Sequence, residues 1–391
     1  MRRIYMDHTA GKPVDERVLK AMMPYFTESI GNPSSPHTFG NEARSAINES
    51  RKKVAGLVSA KKGEEIIFTS GGTESNNLAI KGTALRYRNK GNHIITSSIE
   101  HMSVLNPCKY LDTQGYEITY LPVDEYGIID PSVVEDAITE KTILVSIMYA
   151  NGEIGTIEPI KEIGEITHKK DVIFHVDAVA VADQIPINVQ KENIDILTIS
   201  SNDMYGPRGV GALYIQTGSR VLPILHGGGQ EGGLRSGTEN LPGIVGLGEA
   251  ARIAKDEMTN ENNRLIKLRD NFINNTLETI PESYLNGHPT KRLPNNINIR
   301  FSYIEGESLI LSLDMEGVAC SSGSACTSKT LEPSHALLAI GLPHDQAHGS
   351  LLFTLGRQNT EEEINHVKGI LPGIVKRLRT ISPLTPKELL E

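Results

Sequence analysis

The chain has 391 residues, long enough for roughly two or three domains with large cores. Its formal net charge of −9 argues against a nucleic-acid surface, which needs a basic excess to hold phosphates. Hydrophobic residues make up 38% and charged residues 22%, and no apolar run approaches the ~18 residues of a membrane span, so a soluble globular protein is expected. The N-terminus, Met1-Arg-Arg-Ile-Tyr5, lacks the apolar stretch of a signal peptide. Three cysteines, Cys108, Cys320 and Cys326, are too few and too unevenly placed for a disulfide framework. A cytoplasmic, reduced setting is expected.

Between residues 60 and 215 short β-rich apolar runs alternate with helix-period segments. Strands are predicted at Glu65–Thr69, His93–Thr96, Glu117–Leu121, Thr142–Met148, Val172–Val176, Ile194–Ile199 and Gly209–Ile215. The alternation implies an α/β fold with a mainly parallel seven-stranded sheet covered on both faces. Ligands in such sheets sit beyond the carboxyl ends of the strands. After Thr238-Glu-Asn-Leu-Pro242 the pattern changes: Leu265, Leu268, Phe272, Ile273, Leu277 and Ile280 form an apolar stripe at helical spacing. This long helix is expected to lead into a small α+β C-terminal domain. That domain would hold the strand Ile297–Phe301, the helix Ser308–Met315, the Gly/Ser loop Ser321–Ser328 and a closing helix from Thr360. The expected division is 14–255 for the large domain, with 1–13 and 256–391 forming the small one.

Several motifs fall at predicted strand ends. Ser70-Gly-Gly-Thr73 follows a strand and opens a helix, so its backbone N–H groups and the helix dipole suit a phosphate, or equally a plain N-cap turn. His101 closes Ser97-Ser-Ile-Glu-His101, and Asp177 closes Phe174-His-Val-Asp177. Alone, the first reads as a structural histidine and the second as a cap.

Taken in order and at compatible spacing, these motifs identify a resemblance. Asp15-Glu-Arg-Val18, Gly31-Asn-Pro-Ser-Ser35, Phe68-Thr-Ser-Gly-Gly-Thr-Glu-Ser-Asn-Asn77, Ile99-Glu-His101 and Glu153-Ile-Gly-Thr156 are matched by the NifS/IscS-type cysteine desulfurases. So are His175-Val-Asp-Ala178, Gly227-Gly-Gly-Gln-Glu231, Arg235-Ser-Gly-Thr238 and Ser321-Ser-Gly-Ser-Ala-Cys-Thr-Ser328. The resemblance implies a fold-type I pyridoxal phosphate (PLP) architecture and a homodimer with its sites at the subunit interface. It implies that Thr73, His101, Asp177, Ser200 and Thr238 belong to the cofactor pocket. His101 would stack on the pyridine and move protons, and Asp177 would pair the ring nitrogen.

Five positions depart from the family pattern. In Ser200-Ser-Asn-Asp-Met-Tyr-Gly-Pro207, Asp203 stands where the family has the lysine that forms an imine with PLP, and Asn202 where it has a histidine. Ala180 and Gly152 stand where the family places a glutamine and an asparagine beside cofactor and substrate. Leu352 stands where an arginine clamps the substrate carboxylate. A carboxylate has no nitrogen for an imine. A second negative charge about 4 Å from the cofactor's anionic groups costs up to ~4 kcal/mol at an effective dielectric near 20, about a thousandfold in affinity. Lys12, Lys109 and Lys329 sit in other motifs and are not expected to replace the missing amine. PLP is therefore expected to be absent, or held without a covalent bond at most.

Cys326 lies in a small-residue loop that, by the resemblance, carries sulfur as a persulfide to an IscU-type scaffold. A mobile loop with one thiol suits delivery or metal ligation equally. An iron–sulfur cluster would need further ligands from a partner. Cys320 and Cys108 read as buried packing residues, and His335, His344 and His348 as surface or structural ones. The sequence thus reads as a non-catalytic desulfurase homologue in iron–sulfur cluster assembly. It would dimerise, bind an IscU-type scaffold and present Cys326 as sulfur carrier or cluster ligand. The alternative is an active desulfurase with PLP bound non-covalently and His101 as its base.

Overall fold

The computed structural model describes residues 3–322 and 333–389. Its centre is a seven-stranded sheet built from β1 (Ile66–Thr69), β2 (His93–Ser97), β3 (Glu117–Leu121), β4 (Thr142–Met148), β5 (Ile173–Asp177), β6 (Ile196–Ser200) and β7 (Gly211–Ile215). The order is β1-β7-β6-β5-β4-β2-β3, and only β7 runs against its neighbours. Every residue of β4 and β6 is buried, as continuous apolar runs in a doubly covered sheet require. At one edge, β3 leaves Glu117 and Tyr120 exposed. All seven expected strands are present, most displaced by one or two residues at an end.

Helix α1 (Gly72–Tyr87) follows β1, and α2 (Met102–Asp112) follows β2. They meet through Ile80, Ala84, Val104, Cys108 and Leu111, and Cys108 is buried there as packing. Burial pushes the Cys108 thiol up to about 12, so it stays protonated and inert.

Helix α3 (Leu241–Thr279) has 39 residues, a rod of roughly 58 Å at 1.5 Å per residue. Its first half, from Leu241 to Met258, packs in the core under the large sheet. Its second half contributes Leu265, Leu268, Phe272 and Ile273 to a second core. Leu277, expected on the apolar stripe, is instead 37% exposed, because Thr276 takes the core-facing position one turn after Phe272 and Ile273.

The second core lies on a three-stranded antiparallel sheet of β8 (Ser283–Leu285), β9 (Asn296–Phe301) and β10 (Ser350–Thr354), in the order β10-β9-β8. Helix α4 (Glu361–Ile381) closes it, opened by a capping box in which the Thr360 hydroxyl and the Glu363 carboxylate each satisfy the other residue's backbone N–H. The N-terminal strand Ile4–Tyr5 pairs in parallel with Val318–Ala319, and Ile4 and Met6 pack in this second core. Cys320 is buried in the same core. Among the described residues no helix is long and apolar enough to cross a membrane.

Candidate active site

The carboxyl ends of β2, β4, β5 and β6 open on one cavity of about 360 Å³. Strand ends deliver Glu100 and His101, Ala150 to Glu153, Asp177 to Ala180, and Ser200 to Asp203 to its wall. The start of α1 supplies Gly72 and Thr73, β10 supplies Leu352, and the segment before the helix Glu16–Met22 supplies Lys12. All five departures from the family pattern, Gly152, Ala180, Asn202, Asp203 and Leu352, line this one space. Gly152 and Ala180 face each other: a Cβ at Gly152 would stand 3.6 Å from that of Ala180.

One end is an anion seat. Gly71, the N-cap of α1, has a φ of 150° and no side chain to occupy the first-turn N–H groups. The Ser70 N–H donates to the Glu74 carboxylate, which Arg235 also holds at 2.9 Å. The first-turn donors at Gly72 and Thr73 are left facing the cavity beside the positive end of the helix dipole. A Cβ at Gly72 would lie 2.8 Å from a Val179 methyl, so only glycine lets β5 and α1 approach this closely.

Asp177 stands beside α1. Its Oδ2 accepts from the Asn76 side chain at 2.7 Å and its Oδ1 from the Val179 N–H at 3.0 Å. Burial nevertheless raises its pKa. His101 caps α2, with Nδ1 accepting from the Ser103 N–H at 3.1 Å and 2.7 Å from the Ser103 hydroxyl. A ring that accepts at Nδ1 carries its proton, when neutral, on Nε2. Ser200 is buried at the end of β6. Thr238 is exposed and does not line the cavity of this chain.

Asp203 sits in the short 3-10 turn after β6. Burial is the largest influence on it and pushes its carboxyl up to about 6, against the Lys12 ammonium and the Ser200 hydroxyl, which pull it down. Lys12 donates at 2.6 Å to Asp183 and at 2.7 Å to the backbone carbonyl of Asp203. Nothing in the order of residues hints at this, since Lys12 stands 191 residues from Asp203 along the chain.

Four further residues of the wall were not foreseen as site residues. Glu153 accepts from the Ser334 hydroxyl at 2.7 Å, and burial pushes it up to about 7. Glu100, fully buried, is raised well above the carboxylate range by the same cause. Gln184 donates to the Ala180 carbonyl at 3.0 Å, which places a glutamine at the wall one turn after the position where the family pattern has one. His335, expected on the surface or in a structural role, lines the cavity with Nε2 2.9 Å from the Glu100 carbonyl. His344 and His348 are exposed, as expected. Cys326 and Lys329 lie outside the described residues. Lys109 is exposed on α2. Among the described residues no group of three His, Cys, Asp or Glu side chains is placed to hold a metal ion.

The buried acids give the fold a pH signature. Glu158, 4% exposed, is pushed by burial up to about 8, and Glu153 up to about 7. Both folded values exceed the unfolded one near 4.5, so the native state binds more protons between them. Stability is full below the unfolded value and is lost as pH rises through 7 and 8. Between pH 6 and 8 the loss is on the order of 2–4 kcal/mol, at up to ~1.4 kcal/mol per pH unit for each group. Denaturant melts of the wild type at the two pH values should show that loss. Glu158→Gln should remove about half of it; an unchanged slope would remove Glu158 from this account.

The class-V aminotransferase family model matches residues 4–367. This chain belongs to that family. Among curated relatives, cysteine desulfurase IscS 1 of Archaeoglobus fulgidus is 58% identical over 97% of this chain and 99% of its own length. Cysteine desulfurase IscS of Methanosarcina thermophila is 54% identical over 99% of this chain and 95% of its own. A solved NifS-like protein superimposes with a TM-score of 0.90 at 36% identity, covering 96% of this chain and all of the other. Family and fold therefore agree with the resemblance drawn from the motifs.

The expectation that PLP is absent, or at most non-covalent, does not stand. Relatives between 50% and 58% identical along nearly the whole chain bear the name of a PLP-dependent activity. The physical reason lies in Asp203. A fixed charge would penalise an anionic cofactor by up to ~4 kcal/mol, but a carboxyl poised at about 6 escapes that penalty by taking up a proton. At pH 7 protonation costs about one pH unit, or ~1.4 kcal/mol. The anion seat at Gly72 and Thr73, the buried Asp177 and the His101 cap are retained, so the residues present fit the group apart from its usual amine.

Proposed function

We propose that this protein mobilises sulfur from cysteine for iron–sulfur cluster assembly, as a PLP-dependent cysteine desulfurase. The observation that carries the reading is the convergence of the uncapped α1 N-terminus, the Asp177–Asn76 pair and His101 on one cavity at the strand ends. The first-turn N–H groups at Gly72 and Thr73 would hold the phosphate, Asp177 the ring nitrogen, and His101 would cover the ring. When bound, the cofactor supplies an electron sink for bonds broken at the substrate's α-carbon side. His101 carries its proton on Nε2, where it would donate a hydrogen bond to cofactor or substrate, a role other than the base expected from the sequence. Cys326 would accept the sulfur and deliver it to an IscU-type scaffold. Exposed Thr238 suits a homodimer in which this residue serves a site at the subunit interface.

A second reading, in which the chain presents Cys326 without turning cysteine over, draws on Leu352, an apolar wall where a carboxylate clamp is expected. The two are separated by supplying cysteine to PLP-loaded protein and counting alanine and Cys326 persulfide. Stoichiometric alanine with persulfide lost in Cys326→Ala supports the enzyme. Cluster formation on a scaffold from iron and free sulfide, with no alanine from cysteine, supports the second reading and ends the first.

A further inference from the structure

The cavity contains an amine after all. Among the described residues Lys12 is the one lysine that lines it, 8% exposed, with its Nζ 2.7 Å from the backbone carbonyl of Asp203. It therefore abuts the residue that occupies the family's lysine position, although it arrives from the opposite end of the chain. Its other partner is Asp183, 2.6 Å away and itself buried. The Tyr205 ring lies beneath it at 5.0 Å.

We propose that Lys12 is the residue that forms the covalent bond to the aldehyde of the pyridoxal-type cofactor. This rests on the reading that the cavity holds PLP. The Lys12 ammonium first passes a proton to Asp183, a carboxylate already within hydrogen-bond distance, so the pair stays neutral overall and no charge is stranded in the interior. The freed lone pair attacks the aldehyde carbon and a C=N bond replaces C=O. The aldehyde oxygen leaves as water with the two remaining amine hydrogens, and the proton on Asp183 can return to the new nitrogen. Nothing is oxidised or reduced. As long as the ion pair is intact the amine is charged and unreactive: burial, the largest single influence, lowers its pKa, but Asp183, Tyr205 and Asp203 together outweigh it and raise the pKa. Asp183 is therefore a positioning and proton-accepting residue, and bond formation is expected to be slower than for an unpaired amine.

The test uses the full-length protein incubated with PLP. One portion is freed of unbound cofactor and assayed for retained PLP. The other is reduced with borohydride, digested and mapped by mass for pyridoxyl-modified lysine. Retained PLP with the label on Lys12, reduced at least tenfold in Lys12→Arg while the melting temperature holds, supports the proposal. Asp183→Asn removes the carboxylate that keeps the amine charged, and should speed labelling at the same site without moving it. PLP retained but Lys12 unlabelled, or label spread equally over exposed lysines in wild type and Lys12→Arg, overturns the role of Lys12 alone. No PLP retained overturns both this proposal and the reading beneath it.

Discussion

Asp203→Asn should abolish a pH dependence of PLP affinity that reaches roughly tenfold per pH unit above pH 6 in the wild type. The carboxyl is poised at about 6 by burial, with Lys12 and Ser200 favouring its charged form and Asp183 and Asp177 opposing it. An anionic cofactor about 4 Å away would raise it by up to ~3 further units, the equivalent of ~4 kcal/mol. Binding would then take up close to one proton between pH 6 and 8. Affinity falls as pH rises through that window because the free protein has already lost the proton that the complex needs. An asparagine has the same shape and no proton to lose. Equilibrium dialysis at pH 6, 7 and 8 reads the difference directly. The cofactor's own phosphate titrates in this range, but it does so equally with both proteins, so the difference in slope belongs to residue 203. Identical slopes would mean that Asp203 keeps its charge in the complex, or that its carboxyl does not meet the cofactor.

That result turns on what a sequence conveys about charge. Asp203 at the family's lysine position reads, in one dimension, as a fixed negative charge opposed to an anionic ligand. Whether the charge exists depends on burial and on neighbours. The neighbour that matters most for the charged form, Lys12, lies 191 residues away along the chain. Lys12 belongs to a different motif, and no periodicity or spacing connects it to Asp203. Only the closing of the N-terminal segment over the ends of β5 and β6 does so.

The fold was legible for a plain reason. Strands such as β4, Thr142–Met148, are buried on both faces and announce themselves as unbroken apolar runs. The site was legible in the same places, since Thr73, His101, Asp177 and Ser200 end up at the strand ends where sheets of this kind place ligands. Less visible were two other residues of the cavity wall. His335 gave no signal because its role depends on the Glu100 carbonyl at the end of β2. Gln184 was missed because it enters one turn later than the family pattern would place it. Thr238 shows the converse: its motif is intact, yet the side chain stands outside the cavity of its own chain.

Leu352→Arg is expected to tighten the use of cysteine by roughly thirtyfold to a few thousandfold in KM, with kcat little changed. Leu352 lies on β10 opposite Asn298, 2% exposed. Its backbone N–H donates to the Ser321 carbonyl at 2.7 Å and its carbonyl accepts from Ser321 at 3.1 Å, so the backbone at this position is held whatever the side chain. The wild-type leucine offers a carboxylate only desolvation. An arginine offers two parallel charge-assisted donors, worth ~2–5 kcal/mol in a desolvated site. The carboxylate of cysteine is charged before and after the reaction, so this gain is shared by ground and transition states and belongs in KM. Cysteamine, which has the thiol and the amine but no carboxylate, separates the clamp from a general effect of positive charge. Its binding should be unchanged by the substitution, and Leu352→Met should leave both ligands as they are. An equal gain for cysteamine and cysteine would show that the new charge acts on the cofactor or on the acids around Asp203. The apolar wall at 352 would then have nothing to do with how the substrate's carboxylate is met.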